Sequence, residues 1–343
     1  MPLYPMIFRP KFVDKMWGGQ KLATLLNKPI PDGKPIGESW ELYDFPPGVV
    51  GKSSGWTSAE LTNGPLAGKT LHELVQQFGA ELHGDVCLVG KDGQFPILIK
   101  FLDAREDLSV QVHPPQEYAD THPGAHLKNE AWYVFQHDPG SRILKGLKDG
   151  VTRETFEASI KDGTCEDKIQ AIPVKDAECY YLPSGTVHAL GAGCFVAEVQ
   201  TPSDTTYRVF DFNRVDPSTG EQRELHVAQA MDCIDFSGRD MPEHQKSHTA
   251  GFFTTVTHLA RSPQFQIEKV RMHEGVEQAI PYEQPVVWIV LAGQIEISAG
   301  KELVKAGPGT TVLLPAKMEN AKVAARSDAQ WLEVTFPIAE ASL

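Results

Sequence analysis

The sequence lacks the features that mark membrane proteins and disulfide-stabilised proteins. Its 343 residues contain no stretch of about 20 consecutive apolar residues, so no membrane span is expected. The five cysteines are scattered, odd in number and without a CxxC pair, which disfavours a disulfide framework and a thiolate zinc site. The first residues show no long apolar segment typical of a signal peptide. We therefore expect a cytoplasmic protein.

Positive charge is also scarce. The chain has 32 Lys and Arg against 45 Asp and Glu, a formal net charge of −13, and no basic run. Nucleic-acid binding relies on many phosphate contacts from Lys and Arg, so we expect no nucleic-acid partner and no membrane partner. An anionic ligand would have to be bound by positive side chains gathered locally. The sequence does not indicate the oligomeric state.

Most of the chain consists of short apolar runs between Gly and Pro. These runs are rich in β-branched and aromatic residues, which favours strands, and many short strands favour a sandwich or barrel. The predicted strands lie in residues 95–104, 130–135, 178–183, 194–200, 285–298 and 309–316. Two helices are predicted, at 68–84 with Thr70 as a possible cap and at 149–163.

The second half of the chain carries a weak repeat of the first. Residues 285–316 have the layout of 130–190, and the polar, turn-rich stretch 238–250 is a candidate domain boundary. The segment Pro183-Ser-Gly-Thr-Val-His188 corresponds to Pro315-Ala-Lys-Met-Glu-Asn320, which has no histidine. The sequence therefore predicts a chemically active domain over 1–240 and a structural copy over 250–343.

Four polar residues beside apolar runs form a candidate metal site. Gln111 and His113 share one face of a strand, Glu130 opens the next strand, and His188 follows a Pro-x-Gly turn. Nitrogen and oxygen donors without thiolate suit Zn²⁺ or another first-row divalent ion in a catalytic site. Taken singly, each residue also has an ordinary explanation as a strand polar group, an edge charge or a turn cap.

The motifs resemble those of the cupin superfamily and, more closely, of the type I phosphomannose isomerase family. The matching segments are "WGG" (17–19), "IGESWEL" (36–42), "PILIKFLDAREDLSVQVHP" (96–114), "LKNEAWYV" (127–134), "YYLPSGTVHALGAG" (180–193) and "EVQTPSDTTYRVFDFNR" (198–214). The resemblance implies a mainly β fold with two cupin-type jelly-roll barrels and a few short helices. It implies a catalytic metal-binding domain over 1–240 with helical insertions, and a degenerate cupin domain over 250–343.

The same resemblance implies roles for individual residues. It places one Zn²⁺ on Gln111, His113, Glu130 and His188, catalytic roles on Arg208, Lys128, Asp204 and Glu198, and substrate binding on Lys100 and Ser109. The chain is similar to the shorter bacterial members. It departs from longer members at Leu127-Lys128, where they have His-Lys, and at Val209-Phe210, where they have small residues after the arginine.

The implied reaction interconverts mannose 6-phosphate and fructose 6-phosphate through a cis-enediol, with a small-molecule sugar phosphate as the partner. A divalent ion can polarise the carbonyl, and Arg208 can stabilise the developing enediolate, although it could instead pair with Asp204 or Asp211. The proton-transfer base stays open among Lys128, Glu198, Asp204 and a metal-bound water. Alternatives are a redox cupin, disfavoured by Gln111, and a non-catalytic sugar-phosphate-binding cupin.

Two further expectations concern charged residues in apolar surroundings. Lys100 lies inside "PILIKFL", and a buried lysine needs a partner, so we expect it to bind the substrate phosphate together with Ser109; the alternatives are that it extends to the sheet edge or pairs with Asp103. Glu38 and Glu41 lie in "IGESWEL" and are expected at the surface, with a supporting position behind the site residues as the alternative.

Overall fold

The computed structural model divides the chain into two compact units. It describes residues 2–31, 33–51, 53–89, 93–216, 220–238, 248–250 and 253–337. The central unit comprises Phe12–Trp40 and Ile99–Pro242, and the terminal unit comprises Met1–Lys11, Glu41–Leu98 and Glu243–Leu343. This grouping differs from a split at 240–250, because two N-terminal segments belong with the C-terminal residues. Most of the candidate boundary, residues 239–247, lies outside the described residues.

The helices are few and short. In the described residues they are α1 Lys21–Leu26, α2 Leu71–Phe78, α3 Ala80–His83, α4 Gln116–Thr121, α5 Arg153–Lys161 and α6 Val227–Cys233, with a 3₁₀ turn at Cys165–Lys168. The predicted helix at 149–163 is present as α5, and the one predicted at 68–84 is divided at Gly79 into α2 and α3. Thr70 and Thr152 begin α2 and α5, each in a capping box with the residue three positions later. Among the described helices, none is long and apolar enough to cross a membrane.

Strands make up most of the regular structure. The first are β1 Met6–Ile7, β2 Lys11–Gly19, β3 Ile36–Leu42, β4 Asp44–Phe45, β5 Thr57–Ser58, β6 Leu98–Asp103, β7 Val110–Val112, β8 Glu130–His137, β9 Arg142–Leu147, β10 Ile169–Pro173, β11 Cys179–Leu182, β12 His188–Leu190, β13 Cys194–Gln200 and β14 Tyr207–Phe210. They continue as β15 His248–Ala250, β16 Thr254–Arg261, β17 Gln266–Met272, β18 Glu277–Ala279, β19 Val286–Ala292, β20 Ile295–Ala299, β21 Glu302–Ala306, β22 Thr311–Leu314, β23 Lys322–Ala325 and β24 Ala329–Thr335. The predicted mainly β fold is confirmed.

The central unit is built from two antiparallel sheets with a shared core. The six-stranded sheet has the order β11-β8-β13-β6-β3-β2, and the five-stranded sheet has the order β10-β9-β12-β7-β14. Trp132 and Val134 from the first sheet pack with Ile143 and Leu190 from the second in one apolar cluster. This is the two-sheet arrangement of a jelly roll. Polar side chains at the edge of this cluster form the site described below.

The terminal unit repeats this plan. Its seven-stranded sheet has the order β1-β22-β19-β24-β17-β16-β15 and its four-stranded sheet the order β18-β23-β20-β21, with Trp288, Trp331 and Ile297 in the core. The order β22-β19-β24-β17 matches β11-β8-β13-β6 of the central unit. The registers also match, since Leu182 lies opposite Glu130 and Leu314 opposite Val286. The predicted repeat is therefore present in both strand order and register.

Candidate metal centre and active site

Strand register places three candidate site residues in one row across the five-stranded sheet. Gln111 on β7 lies opposite His188 on β12 and opposite Arg208 on β14. Cross-strand partners point to the same face, and His113, two residues after Gln111, shares that face. The turn before His188 is fixed to β7, because the Gly185 amide donates to the His113 carbonyl at 3.0 Å. Gly185 has φ +83°, which suits glycine.

Three of the four predicted metal ligands meet in the interior of the central unit. The Nε2 of His113 lies 3.2 Å from one oxygen of Glu130, and the Nε2 of His188 lies 3.1 Å from the other. The three potential ligand atoms are all within 4.8 Å of one another. Each residue is at most 1% exposed, so the cluster is not a chance meeting of surface charges.

The two imidazoles are held with their Nε2 lone pairs toward Glu130. His113 Nδ1 lies 3.1 Å from the Thr205 carbonyl, and His188 Nδ1 lies 2.8 Å from the Thr186 carbonyl. A carbonyl only accepts hydrogen bonds, so Nδ1 carries the proton and Nε2 is left as a donor atom for a metal. Burial, helped by the Lys128 ammonium, lowers the pKa of His113 to about 3, which keeps that ring neutral.

Glu130 supplies the negative charge of the cluster. Burial alone would raise its pKa, but the Lys128 ammonium and His113 hold the pKa of Glu130 well below its usual range. Both carboxylate oxygens are buried and, within the described part of the chain, neither has a hydrogen-bond partner in acceptable geometry, although Lys128 Nζ is 2.8 Å from Oε2. The ionised carboxylate and the two Nε2 atoms together offer one anionic and two nitrogen donors to a single ion. The donor set therefore fits a divalent metal ion.

The fourth predicted ligand, Gln111, lies beside this cluster. Its amide nitrogen is 3.4 Å from His188 Nε2, and its amide oxygen accepts from Ser109 Oγ at 3.4 Å. A half-turn of the amide group exchanges the two atoms and presents oxygen to the cluster, with Ser109 able to accept instead of donate. The structure thus places Gln111 and Ser109 within reach, and their roles stay predictions.

One cation contacts the cluster, and a second, Arg208, lies on the neighbouring strand opposite Gln111. Lys128 Nζ lies 3.1 Å from His113 Nε2 in addition to its ion pair with Glu130. Arg208 is half-buried, and its Nη1 donates to the Glu224 carbonyl at 2.8 Å. The Nε of Arg208 is buried and has no acceptor among the described residues. A buried guanidinium N–H without an acceptor is costly, which marks it as a group that a bound anionic or polar ligand can satisfy.

The two aspartates that the sequence offers as partners of Arg208 are placed differently: one is paired with other arginines and one is exposed. Asp211 accepts from the guanidinium groups of Arg214 and Arg223, which hold its pKa below the usual range although burial alone would raise it. Asp204 is exposed. Neither makes a hydrogen bond with the Arg208 side chain in the described structure.

Lys100 and Glu198 lie in a second buried charge cluster. Lys100 Nζ is 3.3 Å from Glu198 Oε1 and 3.5 Å from Glu38 Oε2. Glu198 Oε2 accepts from the indole N–H of Trp132 at 2.9 Å. Two carboxylates around one ammonium leave no excess positive charge for a phosphate, and the phosphate-binding role of Lys100 stays a prediction.

The surface placement of Glu38 and Glu41 is wrong. They are 7% and 4% exposed, because every residue of β3 is buried. The negative charge of the buried Glu38 is balanced by Lys15 Nζ at 2.8 Å and Lys100 Nζ at 3.5 Å. The Glu-x-Trp spacing of "ESW" places Glu38 and Trp40 on one strand face, but alternation alone does not show that this face is buried.

Fold and site together define a metal-binding β protein of the cupin class. A profile of the family "Phosphomannose isomerase type I, catalytic domain" matches residues 6–142. The chain is 35% identical over 313 residues to a mannose-6-phosphate isomerase of Streptococcus mutans, covering 91% of this chain and 92% of that relative. It is 32% identical over 314 residues to a probable mannose-6-phosphate isomerase of Bacillus subtilis, covering 91% and 94%.

A solved structure agrees with these sequence relatives. The crystal structure of the mannose 6-phosphate isomerase from Bacillus subtilis superposes with a TM-score of 0.85 at 28% identity, covering 97% of this chain and 100% of that one. The chain belongs to the type I phosphomannose isomerase family and is an isomerase.

Proposed function

We propose that the chain interconverts mannose 6-phosphate and fructose 6-phosphate. This reaction moves one proton between C1 and C2 and passes through a cis-enediol, so it needs stabilisation of negative charge on O1 or O2. The observation that carries the proposal is the buried, ionised Glu130 facing the Nε2 atoms of His113 and His188, with His188 in the same strand row as Arg208. The relatives named above carry the same activity in their names.

The proposed cofactor is one Zn²⁺. His113, Glu130 and His188 would hold it, with the Gln111 amide oxygen as the fourth protein ligand. When bound, a divalent ion polarises the substrate carbonyl and neutralises charge on its oxygens. Lys128 contributes by keeping Glu130 ionised, and the Thr205 and Thr186 carbonyls contribute by fixing the histidine tautomers. We also keep the cytoplasm as the proposed location.

Arg208 is the proposed stabiliser of the enediolate. Its buried Nε has no protein acceptor in the described residues, so this N–H can donate to an oxygen that gains negative charge during the reaction. A donor already held in place needs no reorganisation when the charge develops, which is where electrostatic catalysis gains most.

Glu198 is the proposed base. It is 3% exposed, and its Oε1 has no well-aligned hydrogen bond within the described residues, although Lys100 lies 3.3 Å away. Its other oxygen is fixed by Trp132, so the carboxylate has a defined direction. Lys128, through its contact with His113, and the exposed Asp204 are the alternatives that a variant series would separate.

A coupled assay of mannose 6-phosphate and fructose 6-phosphate interconversion tests the function. We expect turnover by the purified chain, its loss on chelation and its return with Zn²⁺. Arg208→Ala should keep the metal and lose turnover by about 10²–10³-fold, the cost of removing one oxyanion donor. Arg326→Ala is the matched control, since Arg326 makes an exposed ion pair with Glu296 in the terminal unit. Substrate binding without turnover, or oxygen consumption, would contradict the isomerase.

A further inference from the structure

Glu38 is a buried carboxylate with no role in the reaction as proposed. It lies on β3, and its Oε1 is 2.8 Å from Lys15 Nζ. Its Oε2 accepts from the Trp40 indole N–H at 2.6 Å and lies 3.5 Å from Lys100 Nζ. Burial alone would raise the pKa of Glu38, but Lys100 and Lys15 lower it, so the carboxylate is ionised.

Lys100 is held between two carboxylates from different strands. Glu38 on β3 and Glu198 on β13 approach its ammonium at 3.5 and 3.3 Å, and the Trp40 ring centre lies 5.1 Å away. Lys100 is 5% exposed, and burying an ammonium is costly unless it is paired. Because β6 lies between β3 and β13 in the sheet, the two carboxylates approach the ammonium from opposite sides and restrain its position.

This cluster reaches the candidate metal centre. Lys15, Glu38, Lys100 and Glu198 alternate in charge, and Glu198 accepts from Trp132. The Trp132 ring packs edge-on against His188 with 5.5 Å between ring centres. The two carboxylates, at 3.3 and 3.5 Å, hold the ammonium by charge attraction. An ammonium has three N–H donors, so one held in this place can still donate to a ligand.

We propose that Glu38 is a positioning residue that acts through Lys100, fixing its ammonium to donate to an uncharged sugar oxygen of the substrate rather than to the phosphate. The inference rests on the proposed isomerase function. Its physical basis is charge balance, because Glu38 and Glu198 together cancel the charges of Lys15 and Lys100 and leave little attraction for a dianion. A fixed donor still orients a hydroxyl or carbonyl, and misplacing such a group by about 1 Å can cost 10²-fold in rate.

The first test is Glu38→Gln, which keeps the size of the side chain and an acceptor for Trp40. We expect kcat to fall by about 10–100-fold while KM changes less and metal content stays the same. Glu333→Gln is the matched control, because Glu333 is also a buried carboxylate that accepts from a tryptophan indole, at 3.1 Å from Trp288, but lies in the terminal unit. It should leave kcat unchanged. A wild-type kcat in Glu38→Gln would overturn the inference.

A double-mutant cycle with Lys100→Met separates positioning from general damage. If Glu38 acts through Lys100, then Glu38→Gln should lower kcat no further in the Lys100→Met background. In denaturant unfolding it should destabilise the wild type more than it destabilises Lys100→Met, because in the second background only the pair with Lys15 is lost. Losses in kcat that multiply, or equal destabilisation in the two backgrounds, would refute the role. If the wild type itself is inactive, the proposed isomerase function is refuted instead. The unfolding measurements would then still test whether Glu38 restrains Lys100.

Discussion

The two barrels share a framework and differ in the charges placed on it. In the central unit Trp132 donates to Glu198 at 2.9 Å, and in the terminal unit Trp288 donates to Glu333 at 3.1 Å. Each tryptophan lies directly opposite its glutamate in the strand register. Because the pair occurs in both units, a buried Trp–Glu hydrogen bond belongs to the framework and does not by itself indicate catalysis.

The terminal unit differs at the positions that make the central site reactive. Glu130 corresponds to Val286 by register, and His188 corresponds to Asn320 by its distance from the proline of the turn. Glu268 lies opposite Glu333 on the neighbouring strand, where the central unit has the cation of Lys100 beside Glu198. At these three positions the terminal unit therefore has a valine, an asparagine and a glutamate in place of the carboxylate, the imidazole and the buried ammonium of the central unit.

Whether a neighbouring cation is present determines in which direction the pKa of a buried carboxyl group shifts. Burial raises the pKa of Glu333, and the nearby Glu268 adds to the rise. Burial acts in the same direction on Glu38, but there Lys100 and Lys15 lower the pKa below its ordinary value. Glu333 therefore binds a proton more readily than an ordinary glutamate, whereas Glu38 is ionised. Only an ionised carboxylate can hold the Lys100 ammonium in place.

The largest effect should come from giving the central unit the terminal unit's residue at the metal. His188→Asn copies Asn320 and removes an imidazole of the proposed metal site, so we expect loss of metal and a fall in turnover of at least about 10³-fold, since a bound ion supplies several kcal/mol of transition-state stabilisation. Elemental analysis and the coupled assay measure both. The reciprocal Asn320→His should bind no metal, because Val286 offers no donor atom. Retained metal and turnover in His188→Asn would show that the cluster is not the metal site.

A smaller effect should separate the two Trp–Glu pairs. Glu198→Gln and Glu333→Gln make the same change in matching registers, and both keep an acceptor for the indole N–H. We expect Glu198→Gln to lower kcat by about 10²-fold or more, the usual contribution of general acid–base catalysis, and Glu333→Gln to leave it unchanged. Steady-state kinetics of both variants with metal content measured in parallel makes the comparison. Equal losses would mean that the pair acts on folding alone.

The sequence predicted the strands and the meeting of His113, Glu130 and His188 well, because both are local or carried by distinctive motifs. Alternation in "QVH" and the Pro-x-Gly-x-x-His turn placed His113 and His188 on the correct faces. The burial of Glu38 could not be predicted in the same way, since it depends on strands that cover β3 from distant parts of the chain. The grouping of Met6–Ile7 with the terminal unit likewise rests on a long-range pairing with Thr311–Leu314.

The smallest effect concerns the pH dependence of stability in the two barrels. A raised folded-state pKa means that Glu333 binds its proton more tightly when folded, so its contribution is fully present below about pH 4.5 and is lost as the pH rises through the raised value. Glu333→Gln should remove this loss and raise the Tm at pH 7 relative to pH 4.5 by about 2 °C.

Glu38 should affect the pH dependence of stability in the opposite direction. Because its folded-state pKa is lowered, its contribution to stability is present above pH 4.5 and is lost in acid. Glu38→Gln should therefore lower the Tm at pH 7 and flatten the acid limb, as calorimetry across the pH range would measure. Parallel curves for the two variants would mean that neighbouring cations do not set the ionisation of these buried carboxylates.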